Sequence, residues 1–168
     1  NFSKLRSMIK KQLQTEIEIY KDLSELDHST QDLMQEALKV RENAYAPYSK
    51  FKVGAAIRLE NQKIVTGSNQ ENASFPSGLC AERVALFESS KNLDENKVLE
   101  VAVYARSTKY EVPKMLVPCA GCLQVMSDIQ TRQKAPIKVY MWDGGDVVYS
   151  ASDIGQFLPF HFELIRSK

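Results

Sequence analysis

The chain has 168 residues, with 22 Lys and Arg against 21 Asp and Glu, a formal net charge of +1. That length holds one ordinary domain, able to bury roughly 70% of its unfolded surface without disulfide staples. The hydrophobic share of 43% and charged share of 26% are those of a globular protein, and the low Gly and Pro content excludes collagen-like and most low-complexity chains. Near-zero net charge lacks the basic excess of most nucleic-acid binders. No run reaches the roughly 18 uninterrupted apolar residues of a membrane-spanning helix. The first twelve residues are basic but lack the apolar core of a signal peptide. Three cysteines, an odd number, make a poor disulfide framework. The expected setting is therefore cytoplasmic, with neither a membrane nor a nucleic acid as partner.

Residues 1–28 are polar and read as an arm preceding a domain over 29–168. Within the arm, Leu13, Thr15, Ile17 and Ile19 alternate weakly, which suits either a short strand over Gln12–Lys21 or an ordered arm lying on the domain. Ser29 and Asp32 have the spacing of a capping box, and Leu33, Ala37, Leu38 and Ala44 recur at helical spacing, so 30–44 reads as a helix stopped by Pro47. Val53–Leu59 and Lys63–Gly67 read as a hairpin turning at Glu60–Gln62, followed by a loop over 68–78. Cys80–Ser90 reads as a helix whose wide apolar face, from Ala81 through Val84 and Ala85 to Phe87, implies deep burial. Leu99–Ala105 alternates as a strand, and Cys122, Val125, Met126 and Ile129 mark a helix over 119–131. Strands at Ile137–Trp142 and Val147–Tyr149 flank the turn Asp143-Gly144-Gly145, and 151–158 reads as a last helical turn. Helices alternating with strands after an opening hairpin predict an α/β fold: a three-layer α/β/α sandwich around a mixed, five-stranded sheet.

All three cysteines lie in two places, Cys80-Ala81-Glu82 and Pro118-Cys119-Ala120-Gly121-Cys122, each at a predicted helix start. A single C-x-x-C fits a redox pair or half of a structural zinc site, and a single cysteine is usually a small buried hydrophobe. The count separates these. A structural zinc takes four protein ligands, whereas a catalytic zinc takes three and keeps one position for water. His28 and His161 have no ligand spacing to the cysteines. Three thiolates around a divalent zinc leave one negative charge, which two helix N-termini would stabilise and which Arg83 could meet with hydrogen bonds. Glu82 follows Cys80 by two residues. On a regular helix the two side chains would point roughly 200° apart, so they share a site only if Cys80 stands at the very start of the helix. A lone Glu there is ordinarily a group favoured by the helix dipole. Beside a zinc-bound water it is a candidate general base.

Three blocks, in order, then resemble the small homotetrameric cytidine deaminases: Tyr48-Ser49-Lys50-Phe51-Lys52-Val53-Gly54-Ala55-Ala56, the run from Asn69 to Ala85 that contains Ser77-Gly78-Leu79-Cys80-Ala81-Glu82-Arg83, and Pro118-Cys119-Ala120-Gly121-Cys122-Leu123-Gln124-Val125. The likeness runs from about residue 30 to the end. It implies one zinc per subunit, held by Cys80, Cys119 and Cys122, with water activated to attack C4 of cytosine. It further implies that Glu82 carries that water's proton to N3 and then to the leaving amine, and that backbone N–H groups at Cys80 and Ala81 hold O2. Phe51 would stack on the base, Asn69 and Glu71 would grip the ribose hydroxyls, and Arg83 would support the thiolates. The activity so implied is hydrolytic deamination of cytidine and deoxycytidine in pyrimidine salvage, with a small nucleoside as partner.

Three positions depart from the family pattern. Leu123 stands where an Arg is usual, Ala120 and Gly121 exchange their usual order and crowd position 120 with a methyl, and Phe75 replaces a frequent Tyr. They leave two further readings open: deamination of another aminopyrimidine nucleoside or nucleoside antibiotic, and a zinc-holding pyrimidine-binding protein with little turnover. The tail Phe157-Leu158-Pro159-Phe160-His161-Phe162 is too apolar for a free terminus. The resemblance implies a homotetramer with shared active sites, in which Phe162 covers the base in a neighbouring subunit.

Overall fold

A computed structural model of the chain describes residues 9–112 and 115–164. Residues 1–8 of the expected arm and the last four residues lie outside it. In chain order the elements are β1 (Glu18–Tyr20), α1 (His28–Val40), β2 (Phe51–Leu59), β3 (Ile64–Ser68), α2 (Ala81–Ser89), β4 (Val98–Ser107), α3 (Ala120–Gln133), β5 (Lys138–Trp142) and β6 (Val148–Ala151). The strands form one sheet in the order β1-β6-β5-β4-β2-β3. Among the described residues only the strands β4 and β5 pair in parallel, joined through α3; every other strand pair is antiparallel.

Both faces of the sheet are covered. In β4, Val101, Val103 and Ala105 point toward α2 and α3, whereas Ala102 and Tyr104 pack with Leu33, Met34 and Ala37 of α1. A strand buried on two sides reads as a nearly unbroken apolar run, which β4 shows. Two glycines let the helices come close. A Cβ at Gly54 would lie 2.0 Å from the Ala37 carbonyl oxygen of α1, and one at Gly67 would lie 2.6 Å from the Ala81 oxygen of α2. The second approach seats the first turn of α2 directly on β3.

Four expectations need correction. The sheet has six strands rather than five, because Glu18 to Tyr20 of the arm pair with Val148 to Ser150. The strand is much shorter than Gln12–Lys21. It is held by Glu18, which bonds Lys138 Nζ at 2.9 Å and the Ser150 hydroxyl at 3.0 Å. Helix α1 is capped by Asp27, not Ser29: its carboxylate accepts the Thr30 N–H at 3.0 Å and the Thr30 hydroxyl at 2.8 Å, a stronger acceptor than a serine hydroxyl. The last helical turn expected within 151–158 is present, as a 3₁₀ turn over Ile154–Gln156. In α2 the buried residues are Ala81, Glu82, Ala85, Leu86 and Ser89, whereas Val84 is half-buried and Phe87 is 49% exposed. Only one stripe of that wide apolar face meets the sheet and α3; the other faces outward.

Candidate active site

Cys80 and Cys119 occupy equivalent positions. Each is the N-cap of its helix, α2 or α3, with extended backbone and no side-chain capping bond, so its sulfur is free to turn away from the helix. Cys122 lies in the first turn of α3, its N–H bonded to the Cys119 carbonyl at 2.9 Å. The three sulfurs all lie within 4.8 Å of one another, with Cys80 to Cys119 at 3.8 Å and Cys119 to Cys122 at 3.4 Å. A tetrahedral zinc with Zn–S bonds of about 2.3 Å sets its sulfurs about 3.8 Å apart, so the donor set fits that ion in kind and in spacing. The positive ends of both helices point at the cluster. The hydrogen bond with Cys122 pulls the Cys80 thiol down to about 5, with help from Arg83, whose guanidinium lies 3.7 Å from its sulfur. Cys122 is pushed up, by its bond to Cys80 and by burial.

Because Cys80 is an N-cap, Glu82 falls in the first helical turn, on the same side of the site. It is 5% exposed. Burial pushes its carboxyl up to about 7, partly opposed by its own backbone N–H. An acid poised there both accepts and returns a proton near neutral pH.

These groups open on a cleft of about 790 Å³. Its lining includes Phe51, Asn69, Glu71, Cys80, Glu82 and Cys119. Away from the sulfurs, Asn69 and Glu71 grip the chain around Phe51. The Asn69 amide accepts the Val53 N–H at 2.8 Å and donates to the Phe51 carbonyl at 2.9 Å. Glu71 accepts the Tyr48 N–H at 2.9 Å, the Ser49 N–H at 3.2 Å and the Ser49 hydroxyl. Burial pushes the Glu71 carboxyl up, but these bonds outweigh it and hold the acid below its usual range. One amide hydrogen of Asn69 and one acceptor site of Glu71 stay free for a polar ligand. On the rim, Phe75 packs edge-on against Tyr48, with ring centroids 5.6 Å apart.

A profile of the family described as "Cytidine and deoxycytidylate deaminase zinc-binding region" matches residues 27–136. The chain belongs to the cytidine and deoxycytidylate deaminase family. It is 42% identical over 133 residues to the cytidine deaminase of Halalkalibacterium halodurans, an alignment covering 79% of this chain and 92% of that one. It is 38% identical over 97 residues to that of Sporosarcina psychrophila, covering 57% and 66%. Among solved structures, the cytidine deaminase from Burkholderia pseudomallei superposes with a TM-score of 0.65 at 34% identity, over 82% of this chain and all of that one. The matched region is a zinc-binding one, and the cluster of Cys80, Cys119 and Cys122 lies within it.

Within this deaminase fold, four sequence-derived candidates do not line the cleft of their own chain: Ala81, Arg83, Cys122 and Phe162. Arg83, half-buried, and Cys122, buried, stand behind the wall beside the other sulfurs. Ala81 is fully buried, and Phe162 is 71% exposed. The tail carrying Phe162 is tied to α3: the Gln124 side chain donates to the Phe162 carbonyl at 2.8 Å and accepts its N–H at 3.0 Å. The departures from the family pattern also take physical form. The methyl of Ala120 is exposed rather than crowded, and a Cβ at Gly121 would meet only the Cys119 sulfur, at 3.9 Å. Leu123 is 5% exposed and packs into the core. Ser49 and Gln124 were not singled out by sequence reasoning; each acts through hydrogen bonds to distant chain segments, for which a lone Ser or Gln gives no signal.

Proposed function

We propose that this chain hydrolyses cytidine and deoxycytidine to uridine and deoxyuridine with release of ammonia, in the cytoplasm and in the service of pyrimidine salvage. The observation that carries this reading is Glu82, a buried carboxyl that lines the cleft as the second residue of a helix whose N-cap, Cys80, is one of three clustered zinc-competent thiols. Cys80, Cys119 and Cys122 hold one zinc per subunit, and zinc bound there supplies the Lewis acidity that makes water nucleophilic at neutral pH. Glu82 takes one proton from that water and delivers it to N3 of the base, then carries the second, from the new C4 hydroxyl, to the departing amine, which leaves as ammonia while C4 becomes a carbonyl. Arg83 meets the negative charge of the thiolates. N–H groups at the start of α2, at Cys80 and Ala81, orient O2 of the base. Phe51 stacks on the ring, while the free hydrogen of Asn69 and the free acceptor of Glu71 take sugar hydroxyls.

The catalytic domain spans 29–168, with residues 1–28 as an added arm; the family match beginning at residue 27 supports that division. The working form is a homotetramer. The outward stripe of Val84 and Phe87 on α2 and the exposed Phe160 and Phe162 offer apolar surface for neighbouring subunits, and Phe162 covers a neighbour's bound base. Among the described residues no helix is long and apolar enough to cross a membrane. The deciding experiment follows cytidine absorbance with zinc-loaded protein, then after chelation and after zinc is returned. Loss of absorbance that stops with the chelator and resumes with zinc is the expected result. Zinc-loaded protein that binds cytidine without converting it would be a pyrimidine-binding protein instead.

A further inference from the structure

We propose that Ser49 is a positioning residue that couples the sugar-reading end of the cleft to its base-stacking wall, so that Glu71 and Phe51 respond as one unit. This inference rests on the cytidine deaminase reading for what fills the cleft. The Ser49 hydroxyl donates to Glu71 Oε1 and accepts the Phe51 N–H at 3.0 Å. One oxygen atom thus bridges the carboxylate and the main chain of the aromatic residue. A hydroxyl, with one donor and two acceptor sites, can make both bonds at once.

The chain just before Phe51 needs such support. Lys50 has φ of +58°, in the left-handed region that a residue with a side chain adopts only when its surroundings hold it there. Its carbonyl accepts the Ser107 hydroxyl at 3.1 Å, and the Phe51 carbonyl accepts the Asn69 amide at 2.9 Å. Glu71 Oε2 already accepts two N–H groups, from Tyr48 and Ser49. The acceptor site left for a sugar hydroxyl is therefore on Oε1, the oxygen that the Ser49 hydroxyl also holds. A sugar seated there acts on Ser49, and through it on the placement of the Phe51 ring. Base stacking and sugar binding then tighten together, which favours nucleosides over free bases.

The test compares wild type, Ser49→Ala, Ser49→Thr, Glu71→Gln and the Ser49→Ala/Glu71→Gln double variant, with zinc content and melting temperature measured on each. Ser49→Ala is expected to raise KM for cytidine about tenfold, the size of one lost hydrogen bond to a charged group, with kcat within about threefold, a loss of binding shared by ground and transition states. Ser49→Thr, which keeps the hydroxyl, restores most of it. In the Glu71→Gln background the same change costs less than about twofold, because the two residues act in series. A tenfold effect in both backgrounds would show Ser49 touching substrate by itself and overturn the coupling, as would a Thr variant no better than Ala. If wild type binds cytidine without turning it over, the deaminase reading fails alone, and calorimetric Kd values for the same five proteins decide the coupling. If wild type neither binds nor converts cytidine, both fall.

Discussion

At one end of the cleft, functional side chains are placed by where helices begin; at the other, they are placed by hydrogen bonds to neighbouring main chain. Cys80 and Cys119 are N-caps that make no capping bond, so their sulfurs contribute chemistry and little to the frame. Asn69 and Glu71 do the reverse. Between them they hold main-chain groups of Tyr48, Ser49, Phe51 and Val53, and keep only a residual donor and acceptor for a ligand. The contrast separates two kinds of site residue. Substitution at the sulfur end removes chemistry from a frame that stands, whereas substitution at the sugar end moves the frame and the binding together.

The largest effect expected is at the sulfurs. Cys119→Ala should lose bound zinc and bring deamination to background, measured by metal analysis beside cytidine turnover, since metal affinity is built from the full ligand set. Full zinc in that variant would remove Cys119 from the ligand set and break the equivalence of the two helix starts. Next comes Glu82→Gln, which should keep zinc and fold while turnover falls about 10²–10⁴-fold, the usual worth of a general acid–base. Activity within a few-fold of wild type would reduce Glu82 to a group that merely complements the helix dipole.

The opposite signature is expected at the sugar end. Asn69→Ala strands the Val53 N–H and the Phe51 carbonyl, so it should lower stability by about 1–3 kcal/mol and raise KM in the same protein. The check is a melting curve beside steady-state kinetics. A raised KM with an unchanged melting curve would mean that Asn69 serves the ligand alone. Smaller again is Phe162→Ala. A stacked ring contributes about 0.5–1.5 kcal/mol beyond its area burial, so KM should rise roughly 2–10-fold with zinc content unchanged, in a protein that light scattering shows to be a tetramer. A fully active monomer would end the shared-site idea; a tetramer indifferent to the substitution would end only the role of Phe162.

The same contrast explains what could be read in the sequence. Metal chemistry admits few residue types at few spacings, so the cysteines, Glu82 and the helix starts that carry them stand out along the chain. The layer order was also legible, because the apolar run of β4 and the helical spacing in α3 are local. What was hidden is non-local. Ser49 reaches Glu71 across 22 positions and Gln124 reaches Phe162 across 38, and neither residue type announces such a bond. The sixth strand was obscured because three residues carry too little alternation, and its partner lies about 130 positions away. Phe87 misled for another reason. A wide apolar stripe shows that something covers it, not whether that cover belongs to the same chain.

The smallest effect is expected farthest from the cleft, where β1 closes the sheet edge. Glu18 is held there by Lys138 at 2.9 Å, by the Ser150 hydroxyl at 3.0 Å and by the Tyr20 hydroxyl at 3.0 Å. The hydrogen bond from Lys138 is the main reason that its carboxyl lies below the ordinary value. A carboxyl lowered by folding stabilises the folded form fully above its unfolded pKa, about 4.3, and loses that contribution as pH falls through the lowered value. The pair is half exposed, with side-chain exposures of 45% for Glu18 and 31% for Lys138, so its worth is at most about 1 kcal/mol. The arm should therefore loosen on acidification below about pH 4 before the central strands do. Amide protection at Glu18 and Tyr20, corrected for intrinsic exchange, should fall several-fold there while β4 stays protected. Glu18→Gln should show the weaker protection already at neutral pH and lose the acid dependence. Equal protection in both proteins at neutral pH would mean that the β1–β6 backbone ladder alone holds the arm, and that its ion pair is incidental.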